Sequence, residues 1–127
     1  MEQDELLDDV LQFIADKMDT VPHLEALLLL WENQGAALSP EELAARIYVS
    51  AQIATQVLRD LEQRRLVTTS TSEAAYVFDS TWDKTGELMA RIAATYRRHL
   101  IRVATLIHAK ASPSVREFAR AFETKKD

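Results

Sequence analysis

Apolar residues recur at helical spacing in six stretches of this chain, interrupted once by two short runs of strand-forming residues. Leu7, Leu11, Ile14 and Met18 stand at 4-3-4 spacing, and Leu6, Val10 and Phe13 widen the stripe. That period predicts a first helix from Glu2 to Met18. A second begins near Pro22, a residue suited to a first helical turn, and runs through Leu24–Trp31. Four successive leucines, Leu27–Leu30, cover nearly its whole circumference, which predicts a helix in the middle of the core. Asn33-Gln34-Gly35 ends it.

Ser39-Pro40-Glu41-Glu42 sets a capping serine, a first-turn proline and a glutamate at the third helical position, the elements of a capping box. The third helix then runs to about Tyr48 and buries Leu43, Ala44 and Ile47. Ser50 caps a fourth that extends to about Arg65, so Tyr48-Val49-Ser50 is the turn of a helix-turn-helix. Leu66–Thr71 and Ala75–Phe78 flank Ser72-Glu73 as a short hairpin. Ser80-Thr81-Trp82-Asp83 reads as a second capping box, opening a long helix to about Ala109. Along it Met89, Ile92, Tyr96, His99, Val103 and Leu106 alternate by three and four. Ser112-Pro113 stops that helix and starts a last one, Val115–Phe122. The expected fold is mainly α with a small β-hairpin wing, in a single domain over 1–127. Its winged helix-turn-helix unit spans about 38–79, between flanking helices over 2–33 and 81–122.

Composition narrows the chemistry. The chain has no cysteine, which removes disulfides, thiolate metal sites and cysteine nucleophiles and suits a cytoplasmic location. The acidic start, Met1-Glu2-Gln3-Asp4-Glu5, is neither a signal nor a transit peptide. The apolar run Ala26–Trp31 is far shorter than the roughly 20 residues of a membrane span, so no membrane association is expected. His23, His99 and His108 lie too far apart in sequence for a shared ligand face, and no nucleophile–base pair stands out. An enzyme is not expected, nor a cofactor or metal. His99 lies on the apolar stripe and reads as a packing residue.

Charge is unevenly placed. The net charge of −5 divides into −8 over residues 1–36, −2 over 37–80 and +5 over 81–127. An acidic head and a basic tail suit pairing within or between subunits, and equally suit solvated surfaces that differ only in sign.

On the fourth helix Ile53, Ala54, Val57, Leu58 and Leu61 share one side and are expected in the core. Gln52, Thr55, Gln56, Arg59 and Gln63 occupy the other. Amides can pair with adenine and arginine with guanine, so this face suits base reading, though any solvent-facing stripe has the same polarity.

Leu38-Ser39-Pro40-Glu41-Glu42-Leu43-Ala44, continued by Val57-Leu58-Arg59-Asp60-Leu61-Glu62-Gln63-Arg64-Arg65-Leu66-Val67, resembles the MarR-type winged helix regulators. The motif content lies in 38–67, and the order of elements extends the resemblance over about 20–105. It implies homodimers paired through terminal helices, each presenting a recognition helix to double-stranded DNA. On that reading Gln52, Thr55, Gln56, Arg59 and Gln63 face the bases with Ser50 at the helix start, and Arg46, Arg64 and Arg65 meet phosphates. Leu7, Leu11 and Ile14 of the first helix, with Met89, Ile92, Tyr96, Val103 and Leu106 of the long one, form the dimer seam. A helix from Thr81 to Ala109 would be about 43 Å long and would overhang a domain of this size. By sequence alone, the same subunit and its mate are both open as the source of the stripe's helical partner. Two departures stand out: Arg65 replaces the glycine usual before Leu66-Val67, and no lysine or arginine lies between Val67 and Asp79. An uncharged wing neutralises no phosphate, which keeps open an alternative, a winged-helix adaptor that binds a protein partner.

Overall fold

The computed structural model describes residues 2–70 and 75–111, with side chains over 9–70 and 75–109. The expected last helix, Val115–Phe122, and the hairpin tip, Ser72-Glu73, lie outside these residues. The elements follow in the order α1 (Glu2–Lys17), α2 (Val21–Glu32), α3 (Pro40–Ile47), α4 (Ala51–Gln63), β1 (Val67–Thr69), β2 (Tyr76–Phe78), a 3-10 turn (Ser80–Trp82), α5 (Glu87–Arg98) and α6 (Leu100–Ala111).

The leucine-rich α2 is the hub. Thr20 caps it by accepting from the His23 N–H, and Pro22 occupies its first turn. Leu24, Ala26, Leu27, Leu28 and Leu30 are buried, and α3, α4, α5, α6 and β2 all pack around them. Each leucine buried in this way contributes about 1.5–3 kcal/mol relative to exposure, which makes α2 the main hydrophobic anchor of the fold.

The helix-turn-helix is held by local hydrogen bonds that its sequence announces. Glu42 N–H donates to Ser39 Oγ at 3.2 Å, and Ser39 N–H donates back to Glu42 Oε1 at 3.1 Å, closing the capping box. Those bonds hold the Glu42 carboxyl below its ordinary range, the backbone bond from Ser39 first. Both helices of the motif end in the same way, with a residue in the left-handed region. Tyr48 ends α3 at φ 59°, and Val49 N–H reaches Ala44 O at 3.1 Å. Arg65 follows α4 at φ 62°, with Arg65 N–H donating to Glu62 O at 2.9 Å and Leu66 N–H to Leu61 O at 3.0 Å. This is the Schellman pattern, in which glycine is the usual left-handed residue. The missing glycine therefore leaves the exit into the wing intact, because Arg65 takes up the conformation itself.

The wing is antiparallel, with Val67, Thr68 and Thr69 opposite Phe78, Val77 and Tyr76. Leu38 adds an isolated antiparallel bridge, exchanging two hydrogen bonds with Tyr76, which ties the entry of α3 to the hairpin. Trp82 anchors the base of the wing: its ring stacks on Phe13 of α1 at 5.5 Å, and its Nε1 donates to Leu66 O at 3.1 Å.

The expected long helix is broken twice. Asp79 caps the 3-10 turn by accepting from Thr81 N–H at 3.0 Å, and Gly86, at φ 73°, turns the chain before α5. The capping carboxylate of α5 belongs to Asp83, which accepts from Met89 N–H at 2.9 Å and Leu88 N–H at 3.4 Å. The second break is His99, at φ −126° and ψ 43°. A straight helix would carry the His99 imidazole into the apolar stripe; the break leaves it exposed. It also lets Met89, Ile92 and Ala93 of α5 join Val103 and Ile107 of α6 in the core built with α1 and α2. Packing has overridden a period that, by itself, asks for continuity.

That geometry corrects the expected dimer seam. Ile14, Met89, Ile92 and Val103 are fully buried within the chain, covered by its own helices, and offer no surface to a partner. Leu11, Tyr96 and Leu106 are half-buried, and the Leu7 side chain lies outside the described residues. Among the described residues, the large apolar side chains left exposed on this half are Leu100 and Ile101, 50% and 80% accessible, just past the break at His99. Among the described residues no helix is long and apolar enough to cross a membrane.

Candidate nucleic-acid interface

Ser50 starts α4 by accepting from the Ile53 N–H at 3.1 Å. From there Ala54, Val57, Leu58 and Leu61 turn inward, while Gln52, Gln56, Arg59 and Gln63 stand exposed on the opposite side. Thr55 is half-buried, and its hydroxyl donates to Ala51 O at 2.8 Å. Ile53 departs from expectation: it is 49% exposed on the first turn, because the core closes around Ala54 and Val57 instead. With Tyr48, 93% exposed in the turn, it puts an apolar contact at the leading end of the helix.

The arginines divide. Arg59 and Arg65 are exposed on and just beyond α4, and Arg46 is exposed in the last turn of α3. Arg64 points elsewhere. It donates to Asp19 Oδ2 at 2.6 Å and to Lys17 O at 2.8 Å, clamping the end of α4 to the elbow between α1 and α2. The expected phosphate contact of Arg64 is therefore replaced by a structural one, since its guanidinium is already engaged.

Two features lie beyond the reach of the sequence patterns. One is a hydrogen-bonded link from α2 to α4: His23, 5% exposed, meets Asp60 Oδ2 through Nε2 at 2.8 Å. The partners are 37 residues apart, and only the crossing of α2 over α4 brings them together. The other is a cleft of about 460 Å³ between α2, α3 and α5, lined by Glu25, Glu32, Arg46, Tyr96 and Arg97 with the apolar Leu28 and Ile47. Burial raises the Glu25 carboxyl above its ordinary range. It raises the Tyr96 phenol too, with a smaller push from Glu25. Arg97 donates to Glu32 at 3.0 Å across its mouth.

The arrangement presents a polar, hydrogen-bonding helix face between two left-handed turns, with a hairpin beside it and exposed arginines around it. Comparison with known proteins places it. Residues 20–74 match the model of the MarR family. No curated protein matches the sequence. Among solved structures, a MarR family protein from Bacillus stearothermophilus is similar at 17% identity and a TM-score of 0.51, over 98% of this chain and 84% of that one. A MepR variant from S. aureus is similar at 18% identity and a TM-score of 0.52, over 99% and 88%. Another S. aureus MepR variant, bound to an oligodeoxyribonucleotide, is similar at 15% identity and a TM-score of 0.52, over 99% and 90%. At such identities the structural likeness speaks for the fold: the described residues have the winged-helix fold of these MarR family structures, and residues 20–74 of the sequence match the MarR family model.

Proposed function

We propose that this protein is a DNA-binding transcriptional regulator that acts as a homodimer, with α4 of each subunit entering the major groove of one half-site. The observation that carries the reading is the exposed row Gln52, Gln56, Arg59 and Gln63 on the second helix of a helix-turn-helix. Amide and guanidinium groups at that place match the donor and acceptor pattern of base edges. Thr55 lies along the same row, Ser50 stands at its leading end, and Arg46 and Arg65 flank it as phosphate contacts. The oligonucleotide bound by the similar MepR variant supports this reading. A dimer would use the exposed Leu100 and Ile101, set among Arg97, Arg98 and Arg102, in place of the buried seam.

Selection from a randomised duplex pool, followed by titration of the enriched site, tests the reading. Gln56→Ala and Arg59→Ala should each weaken specific binding by about 1–3 kcal/mol with little change in melting temperature. An enriched site bound equally well by both variants would refute the assignment of this face. Light scattering should give a mass near twice the 14.4 kDa of the chain, and Ile101→Glu should lower it. A wild-type mass near 14.4 kDa rules out the dimer.

One observation favours a second reading. The wing strands expose Thr68 and Thr69, and no lysine or arginine lies between Val67 and Asp79. A wing without cations suits a protein-binding adaptor, and failure to retain any duplex DNA at low salt would select it.

A further inference from the structure

Asp60 touches the interior with one oxygen and the exposed face of α4 with the other. Its Oδ2 meets His23 Nε2 at 2.8 Å, and its Oδ1 accepts from Gln56 Nε2 at 2.9 Å. His23 is itself fixed, with Nδ1 2.6 Å from Thr20 Oγ1 at the cap of α2. A continuous chain of hydrogen bonds, Thr20–His23–Asp60–Gln56, therefore runs from the start of α2 to the middle of the candidate reading face. Asp19 lies close enough to His23 and Asp60 to suggest a cation site, all three offering atoms within 4.8 Å of one another. The Arg64 guanidinium, 2.6 Å from Asp19, already supplies that cluster with a positive charge.

A carboxylate only accepts hydrogen bonds. The Gln56 nitrogen must therefore face Asp60, which turns Oε1 the other way and leaves one N–H unused. Because His23 holds Asp60, the orientation does not depend on two mobile surface side chains finding each other. An amide fixed in this sense offers one acceptor and one donor. Adenine presents the complement, a donor at N6 and an acceptor at N7, whereas guanine presents two acceptors, O6 and N7. A freely turning amide can aim its NH2 group at either purine.

We propose that Asp60, held by His23, is a positioning residue that sets the polarity of Gln56 and so favours adenine over guanine at the base pair it reads. The inference rests on the DNA-reading role of α4. The test compares sites selected from a randomised duplex pool by the wild-type protein and by Asp60→Asn. Asparagine keeps the size of the side chain but can turn either end toward Gln56. The expected result is a fall of about tenfold in adenine-over-guanine preference at one position of each half-site, with the other positions unchanged. Asp60→Asn should add nothing in a Gln56→Ala background. A merely structural role would lower stability or overall affinity without moving one base preference. A wild-type pool with no enriched sequence overturns the DNA reading and this proposal with it. An enriched site whose preferences all survive Asp60→Asn overturns this proposal alone. Should the variant unfold, the wild-type protein decides by NMR. The two Gln56 side-chain N–H signals should lie further apart than those of Gln52 and Gln63, because one is bound to a carboxylate, and equal separations overturn the proposal.

Discussion

Replacing Arg65 by glycine should make the protein more stable while weakening its hold on DNA. Arg65 sits at φ 62° at the end of α4, and its side chain is exposed. A side chain in the left-handed region costs about 1–2 kcal/mol, from the crowding of Cβ against the backbone. Glycine removes that cost but adds freedom to the unfolded chain, which returns about 0.5–1 kcal/mol. No packing is lost with an exposed side chain, so the net gain is about 0.5–1 kcal/mol. For a domain of this size that is a rise of about 2–5 °C in melting temperature. Arg65→Ala is the control, since it removes the same charge and keeps the strained backbone. Thermal melts at one ionic strength should rank glycine above wild type, with alanine at or below it. Duplex DNA titrations should show both variants weakened alike, because both lose the cation. A glycine variant melting no higher than the alanine variant would refute the strain argument. Equal DNA affinity in all three proteins would remove Arg65 from the interface.

Further outcomes follow from the packing. Arg64→Ala should lower stability by about 1 kcal/mol, the scale of a partly exposed ion pair with one added backbone contact, and leave the salt dependence of DNA binding unchanged. A shallower salt dependence would return Arg64 to the phosphates. Leu58→Ala and Leu61→Ala, at fully buried positions between α4 and its neighbours, should each cost about 2–5 kcal/mol in urea unfolding, and a loss under 1 kcal/mol would refute the packing. Glu42 and Asp79 have carboxyls held low by their capping bonds. A carboxyl depressed in the fold contributes stability above its unfolded value and loses it as pH falls through the folded one. Melting temperature should therefore drop on acidification below the ordinary carboxylate range, and Glu42→Gln, which can still close the capping box, should flatten part of that drop.

Much of the fold is legible because its signals are local. The capping box at Ser39, the turn at Tyr48 and the four leucines of α2 each act within one or two helical turns, and each lies where the pattern sets it. The long helix that the apolar period predicts is broken for two different reasons. Gly86 is a visible stop signal that an apolar period reads straight through. His99 carries no such signal: the chain breaks there because Met89 and Val103 must reach one core, a demand made by α1 and α2 from outside the segment. Ile53 follows the same logic in reverse, left outside by a core already filled by its neighbours. In the candidate site the exposed row of α4 follows from its period. The engagement of Arg64 with Asp19 and of His23 with Asp60 does not, since each joins residues far apart in the chain.

The central claim is that the face of α4 and its surrounding arginines bind DNA, and the salt dependence of binding tests it most directly. Arg46 and Arg65 are the exposed cations that flank the reading face as phosphate contacts, and a dimer brings two sets to one site. Each phosphate neutralised contributes about −0.9 to the slope of log K against log salt, so four contacts give a slope of about −3.6. Anisotropy titrations of a labelled duplex at about 50–200 mM salt should reproduce that slope, with Arg65→Ala making it shallower by about 2 in the dimer. No retention of duplex DNA at about 50 mM salt would contradict the account and leave the adaptor in its place.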